Sequence, residues 1–270
     1  MTVFINLLPY MKRIEDCTEL LDTWTGGLEI SMDGPNWDEP VNWHKEFDRF
    51  KGYKGPISVH SPIWELNLAS ARFEMISQYS YEVYKECLEW SAHIGAEQMV
   101  VHPSLYSTRL FMRKESQQRS IDNLKRLGEV AQKLKIDLAV ENVGFHEFAL
   151  FDEDEFVQLF EQIPTISALV DVGHAHINGW NTPELLRRLG TRLSAVHLHD
   201  NDGIDDLHQP IGDGTIEWGP IWEALRSQKH AYRSILEYDF DTSLETVMEH
   251  ASLVERELRR EATTGVISPK

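Results

Sequence analysis

The sequence predicts an α/β protein whose eight strands and intervening helices close into a single-domain (β/α)8 barrel. Short apolar, β-branched runs recur eight times, as in strands buried on both faces of a parallel sheet. Stretches of helical amphipathic period lie between them. The chain has 270 residues without a linker or low-complexity segment. About 250 residues is the size of one such barrel. A doubly wound open sheet shares the alternation but would normally gather its ligand site at one switch point.

Taken in order, the expected strands are "VFINLL" (3–8), "GLEISM" (27–32), "ISVHSPI" (57–63), "QMVVHP" (98–103), "DLAVENV" (137–143), "ALVDVGH" (168–174), "SAVHLHD" (194–200) and "SILEYD" (234–239). After the first comes "RIEDCTELLDTW", with Ile14, Cys17, Leu20, Leu21 and Trp24 at helical spacing. Longer helices are expected over 75–95 and 116–135. "DEDEFVQLFEQI" opens with acids, which suits the helix dipole. "TPELLRRLG" reads as Thr182 at the N-cap, Pro183 in the first turn and Gly190 at the end. "WGPIWEALRSQ" and "SLETVMEHASLVERELRRE" complete the helices, so the barrel is expected over 1–260 and a poorly ordered tail over 261–270.

The formal net charge of −18 disfavours a nucleic-acid partner, because an acidic surface repels phosphates. Two cysteines, Cys17 and Cys87, argue against a disulfide framework and fit a reducing compartment. No run of about 18 apolar residues predicts a membrane span. The N-terminal "MTVFINLLPYMKR" lacks a basic region ahead of its apolar residues and reads as a first strand, not a signal peptide, so a cytoplasmic protein is expected.

Barrel chemistry sits at the C-terminal ends of the strands, and polar residues collect there: His60, His102, Glu141 with Asn142, Asp171 with His174, His197 with His199, and Glu237. A lone strand-end histidine is more often structural, and each glutamate could pair with an arginine. The joint placement is what points to a shared cation, since an unpaired buried carboxylate is costly. Glu141, Asp171, His197 and Glu237 form a cage for one divalent ion, and oxygen and nitrogen donors without thiolate suit Mn²⁺, Mg²⁺, Co²⁺ or Zn²⁺. Period-two alternation points His197 and His199 the same way, leaving the choice between them open. Trp64 offers a face for a sugar or base, or simple packing. Arg109 and Arg113 read as solvated helix-start residues, with an anion site as the alternative.

The motifs "VHSPIWELNLAS", "VVHPS", "VENVG", "VDVGHA", "VHLHDN", "DLHQPIGDG" and "ILEYD", in this order, resemble those of the xylose-isomerase-like TIM barrel superfamily. It includes sugar isomerases and epimerases, inosose dehydratases and endonuclease IV. The resemblance covers nearly the whole chain and implies that Asp206 and His208, from the pattern D-x-H-x-x-x-G-x-G, turn back into the site while Gly212 and Gly214 permit the return. It favours His197 over His199 as the ligand. It also matches all nine residue types of the nuclease's three-zinc cluster, here His60, His102, Glu141, Asp171, His174, His197, Asp206, His208 and Glu237. Ser104 stands where that nuclease has glycine, and no arginine occurs between 193 and 225, where related epimerases carry one.

The expected activity is therefore metal-dependent isomerisation or epimerisation of a sugar or sugar-like polyol through an enediolate. Glu141 and Glu237 are the expected proton-transfer groups, and His60, Trp64, His102, His174, Asp206 and His208 the substrate-binding ones. The alternatives are a zinc phosphodiesterase acting on abasic DNA with up to three Zn²⁺, a cyclic-polyol dehydratase, and a barrel that has lost activity. A small-molecule substrate, no membrane and no nucleic acid are expected; a homo-oligomer is left open.

Overall fold

The structure is a computed structural model and describes residues 2–10, 14–33, 48–104 and 112–260. Eight parallel strands close into one barrel in chain order: β1 (Val3–Asn6), β2 (Gly27–Ser31), β3 (Ile57–His60), β4 (Gln98–Val101), β5 (Asp137–Glu141), β6 (Ser167–Asp171), β7 (Leu193–Leu198) and β8 (Arg233–Leu236), with β1 pairing β8. The described α-helices are α1 (Ile14–Thr23), α2 (Glu74–Ile94), α3 (Arg113–Leu134), α4 (Glu153–Gln162), α5 (Val172–Ile177), α6 (Thr182–Leu189), α7 (Trp218–Arg226) and α8 (Leu244–Arg259). None is long and apolar enough to cross a membrane. The expected tail at 261–270 lies outside the described residues.

Every strand stops one to three residues before the end of its expected run, and two helix starts show why boundaries shift. The run "ALVDVGH" stays apolar past its strand, but β6 stops at Asp171, whose carboxylate accepts the His174 amide at 2.7 Å and so caps α5. The cap of α6 is Asn181, not Thr182: its side-chain oxygen accepts the Glu184 amide at 3.3 Å, and Thr182 is inside the helix and buried. The acidic start of α4 is a capping box of Asp152 and Glu155.

Inside the barrel, Phe4, Val100, Ala139, Leu169, Ala195 and Ile235 form a small buried cluster separate from the main core. Gly27 makes room for it, since a Cβ there would lie 2.3 Å from the Phe4 ring. Side chains alternate with period two along a strand. The residue two positions beyond each member therefore also faces inward, one layer nearer the C-terminal mouth. Those residues are Asn6, His102, Glu141, Asp171, His197 and Glu237. An apolar plug thus carries a polar layer, completed by Glu29 on β2 and His60 on β3.

Candidate metal centre

The polar layer is a single network. Register places Asp171 beside His197 on β6 and β7, and Asn6 beside Glu29 on β1 and β2. His197 is fully buried. Its Nε2 donates to Glu29 Oε1 at 3.0 Å. Its Nδ1 faces three carboxylates: Glu237 Oε2 at 2.8 Å, Asp171 Oδ2 at 3.6 Å and Glu141 Oε1 at 3.7 Å. Despite the short distance to Glu237, Nδ1 makes no hydrogen bond of acceptable geometry.

Two satellite groups flank this centre. Glu141 Oε2 lies 3.4 Å from His60 Nε2 and 3.1 Å from His102 Nε2. Asp206 Oδ2 lies 3.2 Å from His174 Nε2 and 3.1 Å from His208 Nε2. Nδ1 of His60, His174 and His208 is within 2.9–3.1 Å of the backbone carbonyls of Ser61, Asn142 and Glu237, respectively. A carbonyl only accepts, so in each ring Nδ1 carries a proton, and Nε2 is turned toward a site carboxylate. This outward anchoring of one nitrogen is the habit of metal-ligating histidines.

Burial alone would raise these carboxylates and lower these imidazoles, but their mutual attraction wins. His102 and His197 hold the Glu141 carboxyl well below its usual range against burial. His197 brings Glu237 down to about 2. Asp171 and Asp206 fall well below the ordinary range, chiefly through His174. Burial is likewise overcome at His60, raised to about 9 by Glu141, and at His208, raised to about 9 by Asp206. His174 and His197 also rise well above 6.5 against their neighbouring carboxylates.

The loop "DDLHQPIGDG" is built to return. Asp200 accepts from the amides of Gly212 at 2.9 Å and Ile216 at 3.1 Å and from Trp218 Nε1 at 2.8 Å. Gly212 has φ +96°, a left-handed conformation glycine adopts without penalty. A Cβ on Gly214 would lie 2.3 Å from Asp200 Oδ1 and the Asn201 carbonyl oxygen. His208 sits at φ +47°, an uncommon conformation for a side-chain-bearing residue.

All the histidines and carboxylates expected at the rim are thus gathered. Trp64 lies half exposed in the turn after β3, which Asp33 anchors by accepting the Ile63 amide at 3.1 Å. Arg113 is tied to Glu155, 3.0 Å between Nη1 and Oε1, rather than solvated, and Arg109 lies outside the described residues. Sequence reasoning missed Glu29 and Asn6, and gave His199 no role. The signal for the first two was available in the same two-residue step that marks the other strands.

The residues fit a divalent cation on geometric grounds. Three carboxylate oxygens converge on a buried imidazole nitrogen that has no hydrogen-bond partner, in a donor set of oxygen and nitrogen alone.

The sequence matches the family described as xylose isomerase-like TIM barrel over residues 28–259. Among solved structures, a D-tagatose 3-epimerase-like protein superimposes with a TM-score of 0.80 at 23% identity, covering 96% of this chain and 97% of its own. A D-psicose 3-epimerase from Clostridium cellulolyticum H10, crystallised with D-tagatose, gives 0.73 at 17%, covering 96% and 98%. The IolI protein with a bound zinc gives 0.77 at 17%, covering 96% and 98%. At these identities the structural likeness is one of fold, while the family match spans most of the sequence: the chain belongs to the xylose isomerase-like TIM barrel family.

Proposed function

We propose that the protein is a divalent-metal-dependent isomerase or epimerase of a sugar or sugar-like polyol. The observation that carries this is the convergence of Glu141, Asp171 and Glu237 on the unpartnered Nδ1 of His197. These four residues would hold the ion, with Mn²⁺, Mg²⁺, Co²⁺ and Zn²⁺ all suited to the donors. When bound, it supplies the charge that stabilises an oxyanion developing on the substrate. Glu141 and Glu237 are held ionised at neutral pH, the state a proton acceptor needs. One takes the carbon-bound proton, giving an enediolate; the other, once it has picked up a proton from solvent, delivers that proton to carbon, and the first releases its own to solvent. His174 and His208 hold substrate hydroxyls, with His60 and His102 below and Trp64 covering one sugar face. The epimerases among the structural relatives support this substrate class.

A second reading, a multi-zinc phosphodiesterase acting on abasic DNA, is favoured by one observation. The groups His60–His102–Glu141 and His174–Asp206–His208 each bring three donors together beside the central one, enough for three ions. The acidic net charge opposes it.

The test is metal count together with reaction. Protein purified without chelator is assayed for solvent-hydrogen exchange into a panel of ketoses and polyols in D₂O, and for incision of an abasic-site duplex. One ion per chain with carbon-bound exchange supports the isomerase. Three zinc ions with efficient incision and no exchange would overturn it.

A further inference from the structure

The polar layer contains a carboxylate that the proposed chemistry does not use. Glu29 lies on β2, completely buried, on the Nε2 side of the His197 imidazole. Oε1 receives His197 Nε2 at 3.0 Å and Asn6 Nδ2 at 3.0 Å; Oε2 receives the Ser58 hydroxyl at 2.9 Å. The same Asn6 nitrogen donates to Glu237 Oε1 at 3.0 Å. Asn6 cannot be turned over without loss, because its Oδ1 accepts the Leu8 amide at 2.9 Å.

We infer that Glu29, helped by Asn6, is the positioning carboxylate of the metal centre, fixing His197 so that Nδ1 is the ligating nitrogen and aligning Glu237 beside it. This rests on the metal reading of the four-residue centre. Accepting from Nε2 selects the tautomer in which Nδ1 keeps its lone pair, and Nδ1 is the atom aimed at Glu237, Asp171 and Glu141. A carboxylate behind a ligating imidazole also raises the basicity of the nitrogen facing the metal. Asn6 spans the seam where β1 meets β8, so one amide group sets the spacing between Glu29 and Glu237. The imidazole stands between Glu29 and the site, so Glu29 acts through His197 and is not a catalytic residue.

The consequence is tested on metal binding, with cobalt(II) as the probe. Glu29→Gln keeps the size of the side chain but removes its charge. Cobalt affinity is expected to fall about 10- to 100-fold, the range for lost outer partners of metal ligands, and the visible absorption bands of the bound cobalt to change. Glu97→Gln removes the same charge from an exposed position at the start of β4 and should change neither. Asn6→Ala should weaken affinity less than Glu29→Gln. Equal affinity and an identical spectrum for Glu29→Gln would overturn the positioning role while leaving the metal reading intact. A wild-type protein that binds no divalent ion would overturn both. Should Glu29→Gln fail to fold, long-range ¹⁵N NMR of the zinc-loaded wild type decides: His197 is expected with Nε2 protonated and Nδ1 metal-bound, and the reverse assignment would overturn the inference.

Discussion

His199 Nε2 lies 3.0 Å from both carboxylate oxygens of Asp171, in a fully buried pair. His199 thereby braces Asp171, while His197, two residues earlier, presents Nδ1 to the centre. The two β7 histidines therefore do different work, and substitution should separate them. His197→Ala should abolish tight binding of the central ion. His199→Ala leaves Asp171 its bond from the His174 amide, so affinity should fall only about 10-fold, as for an outer partner. Competition with a chromophoric chelator measures both; equal losses would contradict the assignment.

Gly173 leaves room for that brace. A Cβ there would lie 2.0 Å from His199 Cε1, and the ring is buried and hydrogen-bonded, with little freedom to move. Gly173→Ala should destabilise the protein by about 1–3 kcal/mol, as overpacking does. It should also weaken metal binding by displacing His199. Thermal unfolding and the same chelator assay check the pair of effects.

Glu141→Gln and Glu237→Gln should each lower turnover about 100-fold or more, the range for proton-transfer groups. Both are also proposed ligands, so metal content has to be followed alongside. A variant that retains metal and near-normal turnover would end the two-carboxylate mechanism.

The charge pairing gives the metal-free protein a definite pH dependence. Histidines 60 and 208 are raised from 6.5 to about 9, so their stabilisation is full below pH 6.5 and lost as pH rises through 9. Glu237 is lowered from 4.5 to about 2, so its contribution is full above pH 4.5 and lost as pH falls through 2. Chelated protein should have its highest Tm between pH 4.5 and 6.5. Metal loading at pH 7 should release protons, because a ligating imidazole must be neutral; calorimetry in two buffers of different ionisation enthalpy reads the number.

Asp206→Ala and His208→Ala should leave the barrel folded and the central ion bound, because Glu141, Asp171, His197 and Glu237 are untouched. Substrate handling should drop steeply. If the count falls from three ions to two instead, His174, Asp206 and His208 hold a metal of their own. Elemental analysis per chain distinguishes the outcomes.

The sequence by itself determined the alternation of strand and helix, the eight-fold count and the strand-end positions of Glu141, Asp171, His197 and Glu237, because burial on both faces writes apolar runs that end where the barrel opens. Its periodicity could not separate His197 from His199, since a period of two points both inward, and the resemblance favoured His197 as ligand without giving His199 a task; β7 ends at Leu198, leaving His197 in the polar layer and carrying His199 to Asp171. It gave no role to Asn6 or Glu29, which read as single polar residues in apolar runs. Closure of β1 against β8 brings Asn6 to Glu237 across 231 residues of sequence, and the closed barrel brings Glu29 to Nε2 of His197 across 168. Local periodicity records which way a side chain faces; which groups it meets there is set only by the closed barrel.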